Sequence, residues 1–209
     1  MKNKIKNVSA FAGITFLGVL TVLMCGLALS KIFNISSFSR SGMIGVLVTW
    51  MSMLPGFCII PFLILKKKYS VSPSDFGIKK PGRYEPALIA LIVIAALVWL
   101  MMNRPMFGVM LFVNVLLQNL GVAFTEEFFT KGVLFYVGRR ITDWEILVII
   151  LCAAVFAFVF HSSDSFYVNL TYRFPMGIIL GLIYSRSETL WLPVTLHLAN
   201  NLIASSAFI

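Results

Sequence analysis

Glu126 and Glu127 are adjacent carboxylates set between apolar runs, with Lys131 the only other charge nearby. A carboxylate at bilayer depth costs several kcal/mol unless it is paired, protonated or facing water. An acid pair in such a setting is therefore a functional-site candidate. The chain has only two histidines, His161 and His197, and both lie in comparably apolar stretches. Glu127 and Lys131 are four residues apart and can pair on one helical face. Glu126 points about 100° away from Glu127, so the two acids cannot do the same work. His197 and Asn201 also share a face. A carboxylate beside an imidazole can deprotonate a water. A second histidine and an amide supply donors for a tetrahedral oxyanion. Together these are the minimum equipment for hydrolysing or transferring an acyl group.

The elements that must position these groups are transmembrane helices. Of the 209 residues, 59% are hydrophobic and 12% charged, whereas a soluble domain has about 45–50% apolar and about 25% charged residues. A helix needs about 20 mostly apolar residues to cross a bilayer. Spans are predicted near 10–29, 43–65, 87–102, a broken region at 106–137, 146–160, 170–184 and 190–208. The fold class is thus all-α, a polytopic transmembrane bundle of seven spans, or eight if the broken region splits. The runs are continuous rather than alternating, which excludes a β-barrel. The chain reads as one integral-membrane domain, with amino-terminal spans and a polar loop over 1–105 and the chemistry-bearing core over 106–209. The first apolar stretch is too long for a usual signal sequence and lacks a small-x-small cleavage site, so it reads as an uncleaved span.

The net charge of +9 is not a nucleic-acid signal, because the cations sit at span ends and set orientation. Lys66, Lys67, Lys68, Lys79, Lys80 and Arg83 form the densest cluster, which places the 66–85 loop and the amino terminus in the cytoplasm. Alternation then puts 31–41, 164–169 and the carboxyl terminus outside, and Arg139-Arg140 and 186–188 inside. Cys25, Cys58 and Cys152 are an odd, scattered set within apolar spans, which argues against disulfides and thiolate metal sites. Counted at 1.5 Å per residue, Glu126 lies roughly 20 Å from the inner face, His161 roughly 25 Å, and His197 and Asn201 about 9–15 Å. Three helices therefore bring polar groups to the bilayer interior, as bundle sites require.

At these residues the chain resembles the CPBP family, the CAAX protease and bacteriocin-processing (Abi) group of intramembrane glutamic endopeptidases. The family pattern is Glu-Glu-x-x-x-Arg, Phe-x-x-x-His and His-x-x-x-Asn or Asp on successive helices. Here the matching stretches are Glu126-Glu127-Phe128-Phe129-Thr130-Lys131, Phe156-Ala157-Phe158-Val159-Phe160-His161 and His197-Leu198-Ala199-Asn200-Asn201. Lys131 stands where the family has arginine, and Ala157 where it has phenylalanine. The loop Asp75-Phe76-Gly77-Ile78 ahead of a span is also similar to family members. The resemblance implies that Glu126 is the catalytic base acting with His161, that His197 and Asn201 hold the oxyanion, and that Glu127 is auxiliary together with Lys131. It implies no cofactor, a multi-pass location in a bacterial plasma membrane, and a membrane-associated or lipidated peptide as substrate.

Other readings stay open at this stage. Acyl transfer on bacterial lipoproteins could use the same oxyanion site. The departures at Lys131 and Ala157 also suit a catalytically silent membrane partner. Zinc on Glu126, His161 and His197 is an alternative donor set. Glu127 with Lys131 suits a structural ion pair, and His197 with Asn201 suits ordinary interhelical glue. Ser162, Ser163 and Asp164 beside His161 have the composition of a hydrolase triad, but neighbours on a helix cannot arrange one. No His-Glu-x-x-His is present for a zinc protease, and no Gly-x-Gly-Asp or Gly-x-Ser-Gly for an aspartyl or serine intramembrane protease. A transporter would call for a repeat or a second broken helix, and the sequence has neither.

Overall fold

The computed structural model describes residues 2–33, 42–103 and 108–206. Seven long helices make up the described chain: α1 Lys2–Ile32, α2 Met43–Tyr69, α3 Glu85–Asn103, α4 Val109–Gly138, α5 Glu145–Phe160, α6 Phe166–Ser187 and α7 Trp191–Ser206. Helices dominate because lipid offers no partner for backbone N–H and C=O groups, which must pair within each segment. Five of the seven, α1 to α4 and α6, are long and apolar enough to cross a membrane. The other two, α5 and α7, have 16 described residues each, which span about 24 Å against the roughly 30 Å hydrocarbon core. The region expected to be broken is one continuous helix from Val109 to Gly138. Residues 104–107, where that region was expected to begin, lie outside the described residues. So do 34–41, most of the segment expected to lie outside the cell, and 207–209 at the end of the last expected span.

Four of these helices contain π-helical turns: Leu54–Ile59 in α2, Phe128–Leu134 in α4, Val155–Phe160 in α5 and Asn169–Arg173 in α6. In α2 the wide turn accompanies Pro55 and Pro61, each of which lacks the N–H that a regular ladder requires. In α4 it starts directly after the acid pair. There the hydroxyl of Thr130 donates to the Glu126 carbonyl at 2.7 Å. Such turns often mark functional positions, and three of the four lie beside the polar groups discussed below.

Helix α4 sits at the centre, packed by α2 on one side and α7 on the other. Around it, α1 packs on α2, α3 on α7, and α5 on α6. Close approach needs small residues. A Cβ on Gly56 of α2 would stand 2.7 Å from the Gly18 carbonyl of α1, and one on Gly121 of α4 would stand 2.8 Å from the Trp50 ring. The Trp50 indole also donates to the Leu117 carbonyl at 3.0 Å. Phe57, Phe129 and Phe160 lie 4.5–5.7 Å apart between ring centroids and join α2, α4 and α5.

The 70–85 loop closes the end that carries the lysine cluster. Helix α2 ends on Ser70 in the left-handed region, with Lys66, Lys67 and Lys68 in its last turn. A short 3₁₀ turn, Pro73–Phe76, is capped by Ser72 and Asp75. Phe76 is fully buried and touches Gly132 of α4. Gly77 has φ 82°, and a Cβ there would meet Tyr184 at 2.8 Å, so both backbone and space require glycine. Leu190 N donates to the Gly77 carbonyl at 3.1 Å, and Lys79 pairs with Glu188 at 3.2 Å. The loop thereby fixes the connection that feeds α7 and its histidine. The three cysteines are free thiols.

Candidate active site

Residues from α4, α5 and α7 meet in the bundle interior. Helix α4 presents Glu126 and Glu127 immediately before its π turn, where both are buried. The buried His197 of α7 lies between them. Its Nδ1 is 2.9 Å from Glu127 Oε1 and its Nε2 is 3.8 Å from Glu126 Oε2. His161, at the carboxyl end of α5, approaches from the opposite side, with Nε2 also 3.8 Å from Glu126 Oε2. Counted along straight helices, these groups would differ in depth by more than 10 Å. Tilt and the wide turns bring them together.

The two acids are served differently, as their angular separation on the helix requires. One oxygen of Glu127 binds His197, and the other faces Lys131 Nζ at 3.6 Å. Lys131 is fully buried and donates to Thr130 Oγ1 at 3.2 Å. Glu126 has no such cation. Its Oε2 is buried without a hydrogen-bond partner, and so is Nε2 of His161. Buried polar atoms are seldom left unpaired. Two such atoms 3.8 Å apart, with a third polar nitrogen equally close, are too far apart for direct hydrogen bonds and suitably spaced for a bridging water. Among the described residues no group of three His, Cys, Asp or Glu side chains is arranged to hold a metal ion.

Phe156 is a residue the sequence pattern missed. In an α-helix residues four apart stack, which would put Ala157 against His161. The π turn over Val155–Phe160 closes i→i+5 instead, so residues five apart come together. The Phe156 ring takes that place, edge-on to His161 at 5.0 Å and to His197 at 5.5 Å, with Lys131 Nζ 5.6 Å from its centroid. Phe156, rather than Ala157, is therefore the aromatic residue that packs on both histidines.

Asn201 lies one turn beyond His197 and is half-buried. It makes no hydrogen bond to the cluster among the described residues. Its neighbour Asn200 accepts from the Tyr172 hydroxyl. The segment after His161 is a turn rather than a helix, so the objection that helical neighbours cannot cooperate does not apply there. Asp164 Oδ2 stands 4.0 Å from His161 Nδ1. Ser162 and Ser163 make no side-chain hydrogen bond to the histidine.

Residues 108–203 match the family described as Rce1-like, type II CAAX prenyl endopeptidase Rce1-like, consistent with the CPBP family. No curated protein and no solved structure matches the chain. The matched stretch runs from the start of α4 into α7 and includes every member of the polar cluster.

Proposed function

With residues 108–203 falling in the Rce1-like CAAX endopeptidase family, a multi-pass intramembrane protease in general, we propose that this chain hydrolyses a peptide bond in a membrane-associated or lipidated substrate. The observation that carries the reading is the gap at Glu126. Its unpartnered carboxylate oxygen faces Nε2 of both histidines at 3.8 Å in the bundle interior. A water bridging Glu126 and His161 would lose a proton to this pair as it attacks the scissile carbonyl. His197 would keep Nδ1 on Glu127 and turn Nε2 toward the developing oxyanion. Asn201 would add its amide from the next turn. Glu127 and Lys131 hold His197 in place and touch no reacting atom. The chemistry uses no cofactor. The lysine-rich 66–85 loop supports a reading in which the turn after His161 lies at the outer face.

The test is cleavage of a quenched fluorescent prenylated peptide with a CAAX carboxyl terminus by the reconstituted protein. Glu126→Gln and His161→Ala are expected to abolish cleavage while the protein still inserts and folds. Metal chelators are expected to leave the wild-type rate unchanged. Full activity in Glu126→Gln would overturn the reading.

A further inference from the structure

The turn joining α5 to α6 and the first turns of α6 carry three polar side chains that the proposed hydrolysis does not use. The His161 carbonyl accepts two hydrogen bonds, from Asp164 N at 3.0 Å and from the Asn169 side-chain amide at 2.8 Å. Asn169 is buried on the π turn of α6. Four residues further along that turn, Arg173 donates from Nε at 3.2 Å and from Nη2 at 3.0 Å to the same Asp164 oxygen. That oxygen is the one 4.0 Å from His161 Nδ1. The imidazole of His161 therefore lies between two carboxylates, Asp164 on the Nδ1 side and Glu126 on the Nε2 side.

We propose that Asp164, clamped by Arg173, is a positioning residue for His161. It biases the imidazole proton toward Nδ1, against the pull of Glu126 on the Nε2 side. A carboxylate at ion-pair distance favours a ring proton on its own side and a positive ring when a second proton arrives. Arg173 fixes the carboxylate in a forked geometry that a lysine would not reproduce. Asn169 fixes the backbone on which the ring is mounted, so ring and counter-charge are held by one short segment. The charged and titratable groups facing His161 are Glu126 from α4, His197 from α7, Arg173 from α6 and Asp164 from its own turn. Only Asp164 faces Nδ1 with negative charge. The benefit to catalysis rests on the hydrolytic reading above. The bias of the proton does not.

Because the chain has only two histidines, the proton can be read directly. The full-length protein is labelled with ¹⁵N-histidine in lipid nanodiscs, and a His197→Asn variant assigns the two rings. In the wild type the Nδ1–H to Nε2–H ratio of the neutral His161 ring is set by Asp164 on one side and Glu126 on the other. In Asp164→Ala and in the isosteric Asp164→Asn, the tautomer ratio is expected to move at least about tenfold toward Nε2–H, one pKa unit's worth of preference. Asp164→Glu is expected to restore it. On the peptide substrate, kcat is expected to fall in Asp164→Asn with KM unchanged, and to recover in Asp164→Glu. An unchanged tautomer in both Asp164→Ala and Asp164→Asn overturns the proposal. Glu126→Gln separates the two ideas: persistent cleavage there sinks the hydrolytic reading, while the tautomer result still judges Asp164.

Discussion

Lys131→Met removes the only cation facing the second oxygen of Glu127. Nζ stands 3.6 Å from that oxygen, both side chains are fully buried, and the oxygen has no hydrogen bond to fall back on. At an effective dielectric of about 20, a charge pair at this distance interacts by about 4–5 kcal/mol. Deleting one partner of a buried pair costs about 3–5 kcal/mol, because the other charge stays stranded. Removing both charges together is close to neutral for the same reason. Lys131→Met and Glu127→Gln are therefore each expected to destabilise by about 3–5 kcal/mol. The double variant is expected to recover most of the loss, giving a coupling of about 3 kcal/mol or more. Reversible unfolding in bicelles by steric trapping measures all four proteins. Single variants within about 1 kcal/mol of wild type, or strictly additive losses, would refute the view that Lys131 neutralises a buried Glu127.

The π turn of α5 makes a further prediction about the aromatic position. Phe156→Ala is expected to cost about 3–5 kcal/mol and to loosen both histidines. Ala157→Phe, which restores the family pattern on paper, is expected to destabilise by about 1–3 kcal/mol because Ala157 is fully buried; a stabilised Ala157→Phe would show the turn to be misassigned. At the other end of the molecule, hydrogen bonds from the Ser72 backbone and hydroxyl hold the Asp75 carboxyl below the ordinary carboxylate range. A depressed folded pKa adds stability that is complete above the unfolded value near 4 and is lost as pH falls through the folded value. The protection of the 70–77 amides, taken relative to their intrinsic exchange rate at each pH, is expected to fall on acidification below about pH 4, and Asp75→Asn is expected to remove that dependence; an identical protection profile in the variant would contradict the prediction.

The grouping of Glu126, Glu127, Lys131, His161 and His197 was legible because each is a residue that lipid penalises, and the bundle interior is the place that shelters all of them. Helix order and most boundaries followed from long apolar runs punctuated by charge and by Pro–Gly loops. The wide turns were not legible. A π turn shifts the register by one residue without a change in hydropathy, and this is why Ala157 looked like a defect and Phe156 looked incidental. The bracket of Asp164, Asn169 and Arg173 escaped notice for a related reason. Its members are joined by a reversal of the chain after His161, so their proximity depends on the angle between α5 and α6 rather than on spacing along either helix. Along the continuous α4, Gly121 and Gly132 serve close packing against Trp50 and Phe76.

The central claim is that Glu126 delivers a water to a peptide carbonyl. Cleavage of the prenylated peptide in ¹⁸O-water, followed by mass spectrometry of both fragments, tests it most directly. The expected result is one heavy oxygen in the new carboxyl terminus with wild-type protein, and no product with Glu126→Gln. Unlabelled acyl product carried to another acceptor, or labelled product formed just as fast by Glu126→Gln, would contradict it.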